Sequence, residues 1–170
     1  MLLKRATRIL MVLSVFVYWT PNVKAAKTQS CLELMAYVNE NQKSAQGTVV
    51  TICTQGGEVI SRTILGKSGR FKAKLQNGAS YYVRFDKPGC IKKQIWVEIP
   101  EKVTIKKQTF SFNIELFEIS ENNGPNDYIT VAQIRYLSRI KKFSYDREFS
   151  RMATEQAEQY KVSSDAITKK

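Results

Sequence analysis

The chain has 170 residues, of which 43% are hydrophobic and 25% charged, enough for one domain of ordinary size with extensions. It carries 27 lysines and arginines against 15 acids, a formal charge of +12, and contains no histidine. That absence excludes Ser-His-Asp and Cys-His catalysis and every histidine-ligated zinc or copper site.

Residues 1–25 read as a secretory signal peptide. Lys4, Arg5 and Arg8 form a basic start, Ile9 to Trp19 is an uncharged apolar run of 11 residues, and Val23-Lys24-Ala25 precedes the expected cleavage point. The run is short for a membrane span, which needs roughly 20 residues. Two alternatives stay open: retention of the segment as an anchor, and lipidation at Cys31, which follows Ser30 but lies beyond Lys24 and Lys27. Membrane association follows only from one of these. Export is the expectation, to the periplasm or the medium. Removing Lys4, Arg5, Arg8 and Lys24 with the signal leaves 23 basic against 15 acidic residues. The cations are scattered along strands, as at Arg70, Lys72 and Lys74, which suits a solvated sheet face and argues against a nucleic-acid partner.

Residues 26–30 read as a disordered lead. The segment 31–119 then alternates apolar and polar residues and is cut by turns. Leu32, Leu34, Ala36 and Val38 mark a first strand. Gly47 to Thr54 is a second, with Val50 and Ile52 on one face. Gln55-Gly56-Gly57 turns the chain into a third, Glu58 to Leu65. Phe71, Ala73 and Leu75 give a fourth, and the Gln76-Asn77-Gly78 turn leads to Tyr81, Val83 and Phe85. Lys87-Pro88-Gly89 leads to Ile95, Val97 and Ile99, and Phe110, Phe112, Ile114 and Leu116 end the set. Seven such strands without an intervening helix predict a mainly β fold, a seven-stranded antiparallel prealbumin/Ig-like sandwich. Residues 120–128 are a turn-rich linker. The stretch 129–162 reads as an extension: a short strand through Ala132, Ile134 and Tyr136, then an amphipathic helix capped by Asp146. A helical reading of Val131, Ile134, Leu137 and Ile140 is the less favoured alternative. Residues 163–170 read as a frayed tail.

Residues 32–118 resemble the carboxypeptidase regulatory-like domain, a prealbumin-type sandwich found in small exported proteins of Gram-negative envelopes. The resemblance rests on the Gly47 strand entry, Gly69-x-Phe71, Gly78-x-x-Tyr81-x-x-x-Phe85 and Lys87-Pro88-Gly89. Val131-Ala132-x-Ile134 and Phe143-x-Tyr145-Asp146 are similar to the tail of one group of these proteins, where a short strand and a charged helix follow the domain. The chain departs from the family at Leu65-Gly66, where Thr-Asp is common, and at Cys90, where an aromatic is favoured. The resemblance implies the fold; it names no active site, and the superfamily's hydrolase sites depend on histidine.

Cys31, Cys53 and Cys90 are 22 and 37 residues apart, unlike a CxxC motif. An oxidising compartment permits one disulfide; sequence does not choose among the three pairings, nor between a bridge and buried thiols. Cys53 with Cys90 is the candidate bridge. Lysines 92 and 93 near Cys90 are weak support for a nucleophile. Asp146 with Glu148, and Glu155 with Glu158, read as a solvated helix face, and Glu121 to Asp127 as a turn that lacks EF-hand spacing. No catalytic residue, cofactor or metal is expected.

The remaining signal is aromatic. Strand parity sends Tyr82, Arg84 and Trp96 outward, with Tyr82 and Trp96 expected as diagonal neighbours. Together with Phe149, Met152 and Tyr160 of the tail helix they are the candidate contact residues. Burial of the aromatics beneath that helix is the favoured structural alternative. The expected function is a non-enzymatic protein-binding or assembly module of the cell envelope. The rival is a carbohydrate-binding module that stacks sugar on Tyr82 and Trp96.

Overall fold

Alternation along each strand decides which side chains go inside, and a computed structural model shows the outcome for residues 30–103, 107–118, 127–153 and 155–156. Ten strands form among these residues: β1 (Ser30–Glu40), β2 (Lys43–Ser44), β3 (Val49–Thr54), β4 (Val59–Ile64), β5 (Arg70–Gln76), β6 (Ala79–Asp86), β7 (Lys93–Ile99), β8 (Gln108–Leu116), β9 (Ile129–Leu137) and β10 (Lys142–Tyr145). A helix, α1, occupies 147–153 and continues at 155–156. The signal segment, nearly all of the expected lead and linker, and the tail beyond 156 with Tyr160 lie outside the described residues.

The strands form two sheets. In the first, β1 pairs antiparallel with β5 and β2 and parallel with β8. The second runs β10-β9-β7-β6-β3-β4. The inward residues of both form one core. Leu32, Leu34, Phe71, Leu75, Phe112 and Ile114 meet Val50, Ile52, Val83, Phe85, Ile95 and Val97. Phe85 stitches the layers together, its ring lying 6.5 Å from Phe71 and 6.4 Å from Phe112, both edge to face. This is the mainly β sandwich expected from the alternation, with every expected strand present.

Three differences follow from pairing, which alternation does not encode. The sheets are mixed rather than antiparallel throughout, because β1 with β8 and β7 with β9 run parallel. The strand count exceeds seven. The strand at Ala132 and Ile134 is inserted beside β7 and forms a hairpin with β10, so Ala132, Ile134 and Phe143 are core residues and the sandwich continues past 119.

Two local features fix the frame of the sheets. Gly69 has φ +61 and its carbonyl accepts the Val38 N–H at 2.9 Å. A Cβ there would sit 2.5 Å from the Val38 carbonyl oxygen, so only glycine fits where β5 enters beside β1. Asp146 caps α1 as expected: its Oδ1 accepts the Phe149 N–H at 3.2 Å, and its Oδ2 lies 3.0 Å from the Arg135 guanidinium.

Candidate functional site

The outward rows of the six-stranded sheet carry the candidate contact residues. Register places Cys53, Tyr82, Trp96 and Gln133 in one row across β3, β6, β7 and β9. Arg62, Thr51, Arg84, Gln94 and Thr130 form the next. Tyr82 and Trp96 are therefore directly opposite one another rather than diagonal. The expectation assumed a tight turn at Lys87-Pro88-Gly89, whereas the connection continues through Cys90 and Ile91, which pair with Glu118 and Phe117 before β7 begins.

Arg84 is the centre of this face. Its Nε donates to Gln94 Oε1 at 3.2 Å and its Nη1 to Cys53 Sγ at 3.8 Å. The guanidinium lies 4.9 Å from the Tyr128 ring centre and 5.7 Å from that of Tyr82. Tyr128 in turn donates its hydroxyl to Asp86 Oδ2 at 3.3 Å, and burial followed by the Asp86 charge pushes its pKa up. Gln94 Nε2 donates to Thr130 Oγ1 at 2.9 Å and closes the row. Tyr82 and Trp96 stand beside it with ring centres 6.2 Å apart and planes tilted by 35°. All of Tyr82, Arg84, Trp96 and Tyr128 are half-buried, and Trp96 Nε1 is buried with no hydrogen-bond partner among the described residues. The tilt and partial burial do not make the coplanar platform that sugar stacking requires.

The structure brings Tyr82, Arg84 and Trp96 together and leaves the helix residues elsewhere. Arg147 and Ser150 of α1 line a cavity of about 460 Å³ with Lys93, Ile95, Ile114 and Ala132, at the side of the sandwich between β8 and β9. The described turns of the helix therefore sit at that side rather than over the Tyr82–Trp96 pair. Phe149 is half-buried, Met152 is 52% exposed and Ala153 is buried. Sequence reasoning missed Tyr128, which ends a turn-rich stretch; its one legible signal is an aromatic immediately before the Ile129 strand.

Cys53 and Cys90 are not bridged; both are buried free thiols. Register puts Cys53 opposite Tyr82, midway along β6, with its sulfur toward Arg84 on the outer face. Cys90 lies past the end of β6 and donates its thiol to Glu40 Oε1 at 3.1 Å, beside the Lys87–Glu40 ion pair. Burial first, then the Glu40 carboxylate, pushes the Cys90 thiol up to about 12, which keeps it protonated and unreactive. Lys87 holds the Glu40 carboxyl below its ordinary value.

A buried carboxylate, Glu33, faces out of the four-stranded sheet between Lys72 at 3.1 Å and Lys107 at 3.3 Å, and Lys72 holds its pKa down. Of the carboxylate pairs, Asp146 serves as the helix cap and Glu148 is exposed. The oxygen-rich turn is outside the described residues apart from Asp127. Among the described residues, no three His, Cys, Asp or Glu side chains gather closely enough to hold a metal, and no helix is long and apolar enough to cross a membrane.

No family model and no curated protein sequence matches the chain. Solved structures with a similar arrangement include the Bacillus anthracis TIE protein, at 15% identity and TM-score 0.40 over 52% of this chain and 17% of that one. Catechol 1,2-dioxygenase from Pseudomonas arvilla C-1 matches at 12% identity and TM-score 0.42 over 61% of this chain and 57% of that one. Catechol 1,2-dioxygenase from Acinetobacter sp. ADP1 matches at 11% identity and TM-score 0.43 over 65% and 60%. The chain spans less than two thirds of each of these proteins, and likenesses of this strength bear on no function.

Proposed function

We propose that this protein is an exported, non-enzymatic sandwich module that binds another protein of the cell envelope through the outer face of its six-stranded sheet. The observation that carries the reading is the half-exposed cluster of Tyr82, Arg84, Trp96 and Tyr128 on adjacent strands. Aromatic and arginine side chains dominate binding energy at protein interfaces. Here they are held by sheet register and mutual contacts, so a partner orders them at little entropic cost. The signal-like N-terminus and the resemblance to envelope carboxypeptidase regulatory-like domains support the location. Tethering to the membrane enters only if the signal segment is retained or Cys31 is acylated.

The test compares the wild-type protein with Trp96→Ala and Arg84→Ala in native envelope extracts resolved by size. The wild type should migrate in a complex heavier than the 19.5 kDa chain. The variants, shown by circular dichroism to be folded, should shift to the free mass. Complexes indifferent to both substitutions contradict the reading.

A further inference from the structure

At the far side of the sandwich from α1, β4 and β5 are the edges of their sheets: among the described residues β4 pairs with β3 alone and β5 with β1 alone. Between them lies a cleft of about 590 Å³, floored by Ile52, Phe71, Leu75 and Tyr81, with Ile60 and Thr63 on the β4 lip. Natural edge strands are usually short, charged or covered, since a free row of backbone groups invites pairing. β4 is six residues long, contains no proline and carries one charge, Arg62. Val59, Ile60 and Ile64 are 59%, 53% and 70% exposed.

Backbone alternation sets what this edge offers. Leu65 donates to the Thr48 carbonyl and accepts from the Gly47 N–H, so it faces β3. Thr63 and Ser61 then face β3 as well, and the N–H and C=O of Ile64 and Arg62 point to the open edge. Side chains alternate at right angles to this. Thr63 and Ser61 share a face with Val50 and Ile52 and overlook the cleft, whereas Arg62 lies on the outer face with Thr51. Nearby charge is mostly positive: Lys72 and Lys74 line the cleft with Glu58 as its acid, Arg62 is exposed on the outer face of β4, and Lys67 is exposed in the loop that joins β4 to β5. Lys72 pairs with Glu33, while Arg62, Lys67 and Lys74 have no acidic partner among the described residues.

We infer that the β4 edge accepts an extended segment of a protein partner by strand addition, and that this segment alternates apolar with acidic residues. Residues opposite Thr63 and Ser61 place apolar side chains over the cleft, and those opposite Arg62 place carboxylates beside the guanidinium. A second copy of this chain suits the edge poorly, because it brings the same cations with it. The inference takes the protein-binding reading to a second surface and fails or stands separately from it.

The probe is a fluorescent peptide of about eight residues alternating valine and glutamate, titrated against the full chain by anisotropy. Saturable binding is expected, with lysine in place of glutamate weakening it about tenfold. N-methylation of one alternate set of peptide amides should abolish binding, and methylation of the other set should not. Arg62→Glu, at an exposed site, should reverse the preference between the two peptides. Equal affinity for both peptides, indifference to either methylation pattern, or no binding overturns the inference. So does sedimentation that reveals a dimer lost in Arg62→Glu. Failure of the peptide while the envelope complex still depends on Trp96 and Arg84 removes this surface alone. Peptide binding with a complex indifferent to those residues removes the outer-face reading alone.

Discussion

Replacing Glu40 by glutamine should wake a thiol that the fold keeps silent. Cys90 is 4% exposed and its thiol donates to Glu40 Oε1 at 3.1 Å. Its pKa rises from an ordinary 9.0 to about 12. At pH 8 that lowers the thiolate population by about a thousandfold relative to an unperturbed cysteine. Burial is the largest cause and Glu40, through its hydrogen bond and its charge, supplies the next two, while Lys87 opposes them. Glu40→Gln removes the carboxylate and leaves Lys87 and the burial in place. The thiol should then become about tenfold more reactive, still well below a free peptide thiol. The assay is iodoacetamide alkylation at pH 8 under native conditions, read by peptide mass mapping, with Cys53 as the internal control for global opening. Wild-type Cys90 that alkylates as fast as in the unfolded chain would refute the argument. So would a Cys53–Cys90 cross-linked peptide.

Other consequences follow from the packing and the charges. Phe85→Ala removes a fully buried ring and two edge-to-face contacts that join the sheets, and should cost about 4–5 kcal/mol in urea unfolding; a loss below about 2 kcal/mol contradicts the role of Phe85. Asp146→Ala removes the cap of α1 and the Arg135 ion pair, and should cost about 1–2 kcal/mol while raising hydrogen exchange at the Phe149 amide. Glu33 and Glu40 are both held below the ordinary value of 4.5 by lysines, Lys72 for the first and Lys87 for the second. Depressed carboxylates stabilise the fold above their unfolded pKa, and that contribution is lost as pH falls through the folded values. The urea midpoint should therefore hold steady down to about pH 5 and fall below it, and Glu33→Gln should flatten the fall.

Much of the frame is legible because alternation maps directly onto burial. Val50, Ile52, Phe71, Leu75, Tyr81, Val83, Phe85, Ile95, Val97, Phe112 and Ile114 are all buried where their parity puts them, and Phe110 is partly so. Parity also sends Tyr82, Arg84 and Trp96 to one outward face. What alternation does not carry is which strand lies beside which. The parallel pairings of β1 with β8 and β7 with β9 are long-range choices made by core packing, and no local residue announces them. β10 escapes because its hairpin turns through Lys141 at φ 51, a position where glycine or asparagine is the usual marker. Ile140, which suggests a helical stripe, is 54% exposed in that turn. The disulfide candidate fails for the same reason: the distance between Cys53 and Cys90 depends on register, not on spacing along the chain.

The central claim is that the Tyr82–Arg84–Trp96 face is where a partner docks. A photo-crosslinking amino acid placed at Tyr82 and, as a control, at exposed Ser111 on the outer face of the four-stranded sheet tests it in intact cells. The account predicts one discrete adduct from position 82, lost when Arg84 is also replaced by alanine, and none from position 111. No adduct from position 82, or the same adduct from both faces, contradicts it.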